Sequence, residues 1–260
     1  ITEYERIAID MPLQTDTALT RAIDPHPFVP SNPASRHEHT QEIFTIQATG
    51  LATRLKNTGI QKMVIGLSGG LDSTLALLVM KEAVEILKLD TENIYAYTMP
   101  GFATSGRTKK NAELLAKQLG IKIDTIDIRP GSTQQLQDIG HNTNTQDVTY
   151  ENVQARYRTM ILMNKANQLG AVVVGTGDLS EIALGWSTFN GDHMSHYNVN
   201  ASVPKTLIRH LVQYAAEQPE FAAASETLRD ILDTPISPEL TTAKQGSVTQ
   251  STEDMIGPYE

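Results

Sequence analysis

The sequence predicts an α/β protein: a doubly wound parallel sheet with helices on both faces. Three observations carry that expectation. Strand-length runs carrying β-branched residues recur at 63–67, 94–99, 121–128 and 171–174, the first of them wholly apolar or glycine. Stretches of helical length and periodicity alternate with them, and connections of that length imply right-handed crossovers between parallel strands. The first run leads through two adjacent glycines straight into a helix, a junction typical of ligand-binding α/β sheets.

The elements read as follows. Prolines at 12, 25, 27, 30 and 33 break any long element near the start, so residues 1–40 are expected to be an extended arm. A helix is expected around 36–55, with Ile43, Phe44, Ile46, Leu51 and Leu55 inward and Gly59 as its stop. The strand at 63–67 and the turn at 68–72 follow, then a helix over about 73–87. A strand at 94–99 leads into a loop at 100–106, a helix at 108–119 closed by Gly120, and a strand at 121–128. Residues 130–149 are polar and aperiodic, and read as a connection with one helical turn. A long helix at 150–169 ends on Gly170. A strand at 171–174, a short helix through Leu184 that Asp178 or Ser180 can cap, a polar loop at 185–200 and helices at 205–217 and 222–232 complete the domain. The expected divisions are an arm at 1–40, a domain at 41–233 and a polar, mobile segment at 234–260.

Composition bounds the function. A net charge of -9 argues against a general nucleic-acid binder. There is no run of eighteen apolar residues to span a membrane, and residues 1–10 mix charged and apolar side chains unlike a signal peptide, so a cytoplasmic location is expected. The 260 residues contain no cysteine, which excludes disulfides, thiolate zinc sites and a cysteine nucleophile.

The chemistry centres on Gly66-Leu67-Ser68-Gly69-Gly70-Leu71-Asp72-Ser73. A strand, a glycine turn and a helix start make an anion site, because the first helical turn has amides without intrahelical partners. No lysine stands where a Walker A loop needs one, and the glycines do not fit the dinucleotide fingerprint. A bare Asp72 carboxylate would repel phosphate unless it holds Mg2+. A helix dipole contributes only about 0.3–1 kcal/mol to anion binding, so a metal is needed to carry most of the charge. The alternative is a Gly-Gly turn with Asp72 and Ser73 serving as helix caps. With its flanking strand and helix, the loop resembles the pyrophosphate loop of the ATP pyrophosphatases, which activate a carboxyl or carbonyl oxygen as an adenylate.

Three later segments narrow the resemblance: Glu151-Asn152-Val153-Gln154-Ala155-Arg156, the run from Gly175 through Thr176, Asp178, Glu181 and Gly185 to Trp186, and Tyr197-Asn198-Val199-Asn200-Ala201-Ser202-Val203-Pro204-Lys205-Thr206. Together with the first loop they are similar to the synthetase domain of the NAD synthetases, and closer to the bacterial glutamine-dependent, two-domain enzymes than to the short ammonia-dependent ones. The similarity runs from about Pro27 to Glu260. It implies the ATP pyrophosphatase fold, and ATP contacts at Gly66, Leu67, Ser68, Gly69, Gly70, Leu71, Asp72, Ser73 and Thr176. It also implies deamido-NAD contacts at Asn152, Glu181 and Trp186, with Asp72 and Glu181 sharing the metal and phosphate chemistry. Lys205 joins the substrate set for a physical reason. A cation at a helix start opposes the dipole, which hints at a phosphate partner, although a solvated lysine is the alternative.

Other features have plainer readings. Glu181 suits an ordinary first-turn carboxylate, and Trp186, the only tryptophan, suits core or interface as well as ring stacking. His193 and His196 have zinc-like spacing but no third ligand nearby in sequence. Gly175 and Gly177 read as a tight turn, and Lys109 and Lys110 as surface.

The expected function is amidation of nicotinate adenine dinucleotide (deamido-NAD) by ATP and ammonia, with Mg2+, releasing pyrophosphate and AMP. The resemblance further implies a homodimer or higher homo-oligomer, with deamido-NAD near the interface, and a glutaminase domain elsewhere in a longer polypeptide. The rivals are another amidating or thiolating ATP pyrophosphatase, or a nucleotide-binding module without turnover.

Overall fold

The computed structural model describes residues 4–11, 20–24, 26–104, 106–234 and 257. Five strands form one sheet in the order β3-β2-β1-β4-β5, with every neighbouring pair parallel. They are β1 (Lys62–Gly66), β2 (Ile94–Thr98), β3 (Ile123–Thr125), β4 (Ala171–Gly175) and β5 (Tyr197–Asn198). The chain builds outward from β1 to β3, then returns to the other side of β1 with β4. The order therefore reverses between β1 and β4, and the carboxyl ends of those two strands flank the crevice where such sheets bind ligands.

Both faces of the sheet are covered. Met63 and Ile65 of β1, with Ile94, Ala96, Val172 and Val174, join the larger core, while Val64, Tyr97 and Val173 join a second core on the opposite face. Successive strand side chains alternate between faces, and burial on both sides gives the continuous apolar runs seen in the sequence. Helices α1 (Pro33–Thr58), α2 (Leu71–Ile86), α3 (Gly106–Gln118), α7 (Lys205–Glu217) and α8 (Ser225–Leu232) supply the first core. Helix α5 (Val148–Leu169) supplies much of the second, through Ile161, Leu162 and Ala166.

Helix α1 starts at Pro33, inside the segment read as an arm. The Asn32 side chain accepts the Ala34 amide, and Pro33 occupies the position where a missing N–H costs nothing. It ends at Gly59, whose φ of 72° lies in the left-handed region. Residues 4–11 are exposed and carry neither helix nor strand.

Five expectations need correction. Ile46, read as facing inward from α1, is exposed. Residues 130–149 are not a connection with one turn: α4 (Arg129–Asp138) occupies ten of the residues in and beside that stretch, burying Ser132 and Leu136. Its many glutamines leave too few apolar positions to show a period. The strand read at 121–128 pairs as a ladder only over Ile123–Thr125, although the Ile126 amide still donates to Thr98 O at 2.9 Å. The loop at 185–200 hides the two-residue strand β5, too short to carry any alternation. Helix α8 begins at Ser225, after a 3-10 stretch at Pro219–Ala224. Helix α6 (Leu179–Leu184) lies where the short helix was read. No helix among the described residues is long and apolar enough to cross a membrane. Residues 235–256 and 258–260, most of the segment read as polar and mobile, lie outside the described residues.

Candidate active site

The first loop takes its shape from β1 and α2. The Leu67 amide extends the β1–β2 ladder by one bond, to Tyr97 O at 2.8 Å. Gly69 then turns at a φ of 89°, and a Cβ there would lie 2.1 Å from Thr108 O, so only glycine fits. The Gly70 amide donates to Ser68 Oγ at 3.1 Å, and Ser73 Oγ donates to Gly70 O at 3.2 Å. Gly70 is the N-cap of α2 and offers no side-chain cap. The first-turn amides are thus left to an outside acceptor, and the reading of Asp72 and Ser73 as caps does not hold.

The second loop follows β4. Asp178 caps α6 in a reciprocal box: the Glu181 amide donates to Asp178 Oδ1 at 2.7 Å, and the Asp178 amide donates to Glu181 Oε2 at 3.2 Å. Each carboxylate therefore spends one oxygen on the backbone and keeps the other for the site. Those second oxygens meet Lys205 Nζ, at 2.8 Å from Asp178 Oδ2 and 3.2 Å from Glu181 Oε1. Asp72 Oδ2 completes the group at 2.6 Å. Lys205 is the first residue of α7, and its own amide donates to Ser180 Oγ. Its placement at a helix start suggested a phosphate partner; its partners in the structure are three carboxylates.

The electrostatics follow from this crowding. Burial pushes the Asp72 carboxyl up to about 6; Lys205 opposes the shift and Asp178 adds to it. Burial likewise pushes Glu181 up to about 7, against Lys205 and with Asp72. Burial alone would lower the Lys205 ammonium, but the surrounding carboxylates outweigh it and hold it above its ordinary range.

The group suits a divalent cation. Asp72, Asp178 and Glu181 each offer a carboxylate oxygen within 4.8 Å of the others. Three carboxylates and one ammonium leave a charge of about -2, and Asp72 Oδ1 is buried with no hydrogen-bond partner. Among the described residues this is the one such cluster. His193 and His196 do not join it. His193 Nδ1 pairs with Thr188 O, and His196 Nδ1 accepts the Val173 amide, so the zinc-like spacing serves loop structure.

A cavity of about 620 Å³ opens over both loops, large enough for a nucleotide. Gly66, Leu67, Ser68, Gly70, Leu71, Asp72, Ser73 and Thr176 line it, as do Asn152, Glu181, Trp186 and Lys205. Gly69 does not; it packs against the start of α3 instead. Asn152 Oδ1 accepts the Thr188 hydroxyl at 2.8 Å, tying α5 to the loop that carries Trp186. Trp186 follows Gly185, the left-handed stop of α6, and its amide donates to Glu181 O at 2.9 Å.

Sequence reading missed three contributors. Asp178 was seen only as a cap, which it is, but its buried Oδ2 also belongs to the acid group. Asn200 is fully buried behind the site. Arg158 lines the cavity from α5, and its Nε donates to Met99 O at 3.0 Å. The capping-box spacing from Asp178 to Glu181 was the one usable signal among these. Lys109 pairs with Glu113 at 3.7 Å and Lys110 is exposed, as surface residues should be. A larger hollow of about 790 Å³ lies elsewhere, and Arg36, Arg209, Arg229, Asp24, Glu217 and Asp233 in its lining balance in charge, so it selects neither sign of ligand.

Comparison with known proteins places this geometry. The chain is 46% identical over 258 residues to the glutamine-dependent NAD(+) synthetase of Mycobacterium tuberculosis strain H37Rv, covering 97% of this chain and 38% of that protein. It is 45% identical over 247 residues to the enzyme of the same name from Mycobacterium leprae, covering 93% and 36%. The chain thus spans little more than a third of the length of these curated relatives. Among solved structures, glutamine-dependent NAD+ synthetase from Acinetobacter baumannii, in complex with adenosine diphosphate, superposes with a TM-score of 0.68 at 27% identity, over 80% of this chain and 38% of that one. NMN synthetase from Francisella tularensis gives 0.69 at 28%, over 85% and 82%. The sheet order and crevice are therefore those of the ATP pyrophosphatase fold, and a family model described as NAD synthase matches residues 43–250, so the chain belongs to the NAD synthase family.

Proposed function

We propose that this chain is a synthetase domain that converts deamido-NAD to NAD. ATP adenylates the nicotinate carboxylate, whose oxygen bonds the α-phosphorus as pyrophosphate leaves. Ammonia then attacks the activated carbonyl carbon, AMP leaves, and a proton is released. A carboxylate is a poor electrophile, and adenylation supplies its leaving group. No side chain has to act as a nucleophile.

The observation that carries this reading is the convergence of Asp72, Asp178, Glu181 and Lys205 at the β1–β4 crevice, beside an uncapped helix start. Gly66, Leu67, Ser68, Gly70, Leu71, Asp72, Ser73 and Thr176 bind ATP, with the α2 amides taking phosphate oxygens, while Gly69 shapes the loop that presents them. Asn152, Glu181, Trp186 and Lys205 bind the dinucleotide. Asp72 and Glu181, joined by Asp178, hold Mg2+, which when bound neutralises phosphate charge. The protein's share of catalysis is to position two anionic nucleotides and to keep the charges around them fixed.

A mononucleotide acceptor is the alternative that the Francisella tularensis NMN synthetase raises. The higher identity to curated NAD synthetases favours the dinucleotide. Val148, Met160, Ile182, Leu184 and Phe189 are exposed apolar side chains on α5, on α6 and in the loop after it, which suits burial in a homodimer. A cytoplasmic location, a glutaminase domain in the same polypeptide and the boundaries 1–40, 41–233 and 234–260 belong to the same proposal, which involves no nucleic acid and no membrane. ATP–pyrophosphate exchange is the test. Exchange that requires deamido-NAD supports the reading. Exchange driven equally by nicotinate mononucleotide, or by a different acid, redirects it, and ATP binding without exchange leaves a binding module.

A further inference from the structure

The two loops that bring the acids together are not held in register by the sheet. The β1–β4 ladder pairs Lys62, Met63 and Val64 with Ala171, Val172 and Val173, and stops there. Beyond it β4 turns to β5, pairing Val174 with Tyr197 and Gly175 with Asn198. The carboxyl ends of β1 and β4 thus lack ladder bonds to one another just where the cavity opens. Lys205 joins the side-chain ends of Asp72 and the Asp178–Glu181 pair, and the backbone gap behind them needs a tie of its own.

Asn200 spans that gap. Its Nδ2 donates to Asp72 O at 3.0 Å and to Thr176 O at 3.1 Å, so one carboxamide joins the first turn of α2 to the end of β4. Both acceptors are carbonyls, which cannot donate, so the nitrogen must face them. From behind, Gln47 of α1 donates through Nε2 to Asn200 Oδ1 at 3.1 Å and to Val199 O at 2.7 Å. Asn198 adds a second tie: its Nδ2 donates to Gly177 O at 2.8 Å, and its Oδ1 accepts the Asn200 amide at 3.1 Å. Asn200 is fully buried and Gln47 nearly so. Gln47 Oε1 is buried without a partner, but turning either carboxamide over would set its oxygen against the acceptors that its nitrogen now serves, so the network has one low-energy orientation.

We propose that Asn200 is a positioning residue for the adenylation step: it sets the spacing between Asp72 and the Asp178–Glu181 pair, and Gln47 locks its amide in the donating orientation. The inference rests on the function proposed above. Neither residue lines the cavity, so each acts only through the groups it holds. A small misplacement of reacting groups can cost roughly a hundredfold in rate, which is the scale on which this clamp should register.

The test uses the purified chain with Asn200→Asp and, in case that variant folds poorly, Gln47→Met. Asn200→Asp keeps the shape but turns an oxygen toward two carbonyls. Gln47→Met keeps most of the volume and removes the locking donor. Deamido-NAD-dependent ATP–pyrophosphate exchange is followed as Mg2+ is varied, below each variant's melting temperature. Expected are a fall in maximal exchange of about a hundredfold for Asn200→Asp and about fivefold for Gln47→Met, with more Mg2+ needed for half the rate and little change in the KM for the dinucleotide. Folded variants with wild-type rates and wild-type Mg2+ dependence overturn the proposal, whatever their loss of stability. A different pattern marks failure of the functional reading: a wild-type chain that shows neither exchange nor a thermal shift with Mg2+ and ATP.

Discussion

Lys205 Nζ lies 2.6 Å from Asp72 Oδ2, and the same nitrogen meets Asp178 and Glu181. One ammonium thus holds together carboxylates supplied by two loops. The side chain is 4% exposed, so its charge cannot be handed to water. Lys205→Met should leave the three carboxylates without their internal counter-charge. Removing one partner of a buried pair typically costs about 3–5 kcal/mol. The loss should be large at neutral pH and smaller near pH 5, where protonation relieves the repulsion. Denaturant unfolding at the two pH values checks it; an equal loss at both would mean that Lys205 contributes packing rather than charge.

The reverse substitution separates function from fold. Asp72→Ala removes the carboxylate with the unpartnered oxygen but leaves Asp178 and Glu181 on Lys205. Adenylation should fall by about a hundredfold or more, as when a preorganised charge is deleted. The melting temperature should change little, since Asp72 itself is desolvated and its loss relieves repulsion. Wild-type exchange rates in a folded variant would remove Asp72 from the chemistry, and a collapse of stability would make it structural.

The carboxyl shifts also set a pH dependence. Asp72 is raised from 3.8 to about 6 and Glu181 from 4.5 to about 7. A raised carboxyl binds its proton more tightly when folded, so its contribution is present below the unfolded value and is lost as the pH rises through the folded one. Without divalent cation, stability should therefore decline between about pH 4 and pH 7. Asp127 and Asp230, held below the usual range by Arg129 and Arg107, act in the opposite sense but only at lower pH. Mg2+ with a nucleotide should flatten the decline by stabilising the ionised acids. Melting temperature against pH, with and without Mg2+ and ADP, reads both effects, and a flat profile without cation contradicts the assignment.

Trp186 sits on the cavity wall just past the stop of α6. If its indole stacks on the dinucleotide, Trp186→Ala should raise the KM for deamido-NAD several-fold and that for ATP much less, since a well-placed stack is worth about 0.5–1.5 kcal/mol. Its fluorescence, free of any other tryptophan, should respond to the dinucleotide. An unresponsive signal would assign Trp186 to holding the loop.

Much of this was legible in the sequence, and the gaps have physical reasons. Long apolar periods gave α1, α2, α5 and α7, while β1 and β4 were plain as short apolar runs with β-branched residues and β2 as an alternating stretch. The polar α4 and the two-residue β5 left no period to read. The two loops could be placed at one crevice because glycine turns follow the carboxyl ends of strands. The acid group itself could not. Asp178 looked like a cap because it is one, and only three dimensions show that its second oxygen meets Lys205. Asn200 and Gln47 are single buried polar residues, and no spacing links 47 to 200.

The last prediction concerns the nitrogen source. Using glutamine requires hydrolysing a side-chain amide, chemistry that relies on an activated nucleophile, most often a thiolate. The 260 residues contain no cysteine, and their one G-x-S-x-G match, Gly66 to Gly70, sets Ser68 Oγ against the Gly70 amide and Ser73 Oγ rather than against a histidine base. His193 and His196, in the loop after α6, are committed to backbone partners, His193 to Thr188 O and His196 to the Val173 amide. The charged groups that the two loops bring together are acids around one lysine, suited to phosphate and cation rather than to acyl transfer. The chain should therefore form NAD from ammonium chloride at mildly alkaline pH, where more of the ammonia is neutral. It should leave glutamine untouched unless a separate glutaminase is added. The comparison is NAD formation with each nitrogen source at equal concentration, together with release of glutamate. Glutamate released by the purified chain would reveal a hydrolytic site that none of these residues accounts for. Activity with neither source, while ATP and Mg2+ still raise the melting temperature, would favour a nucleotide-binding module without turnover.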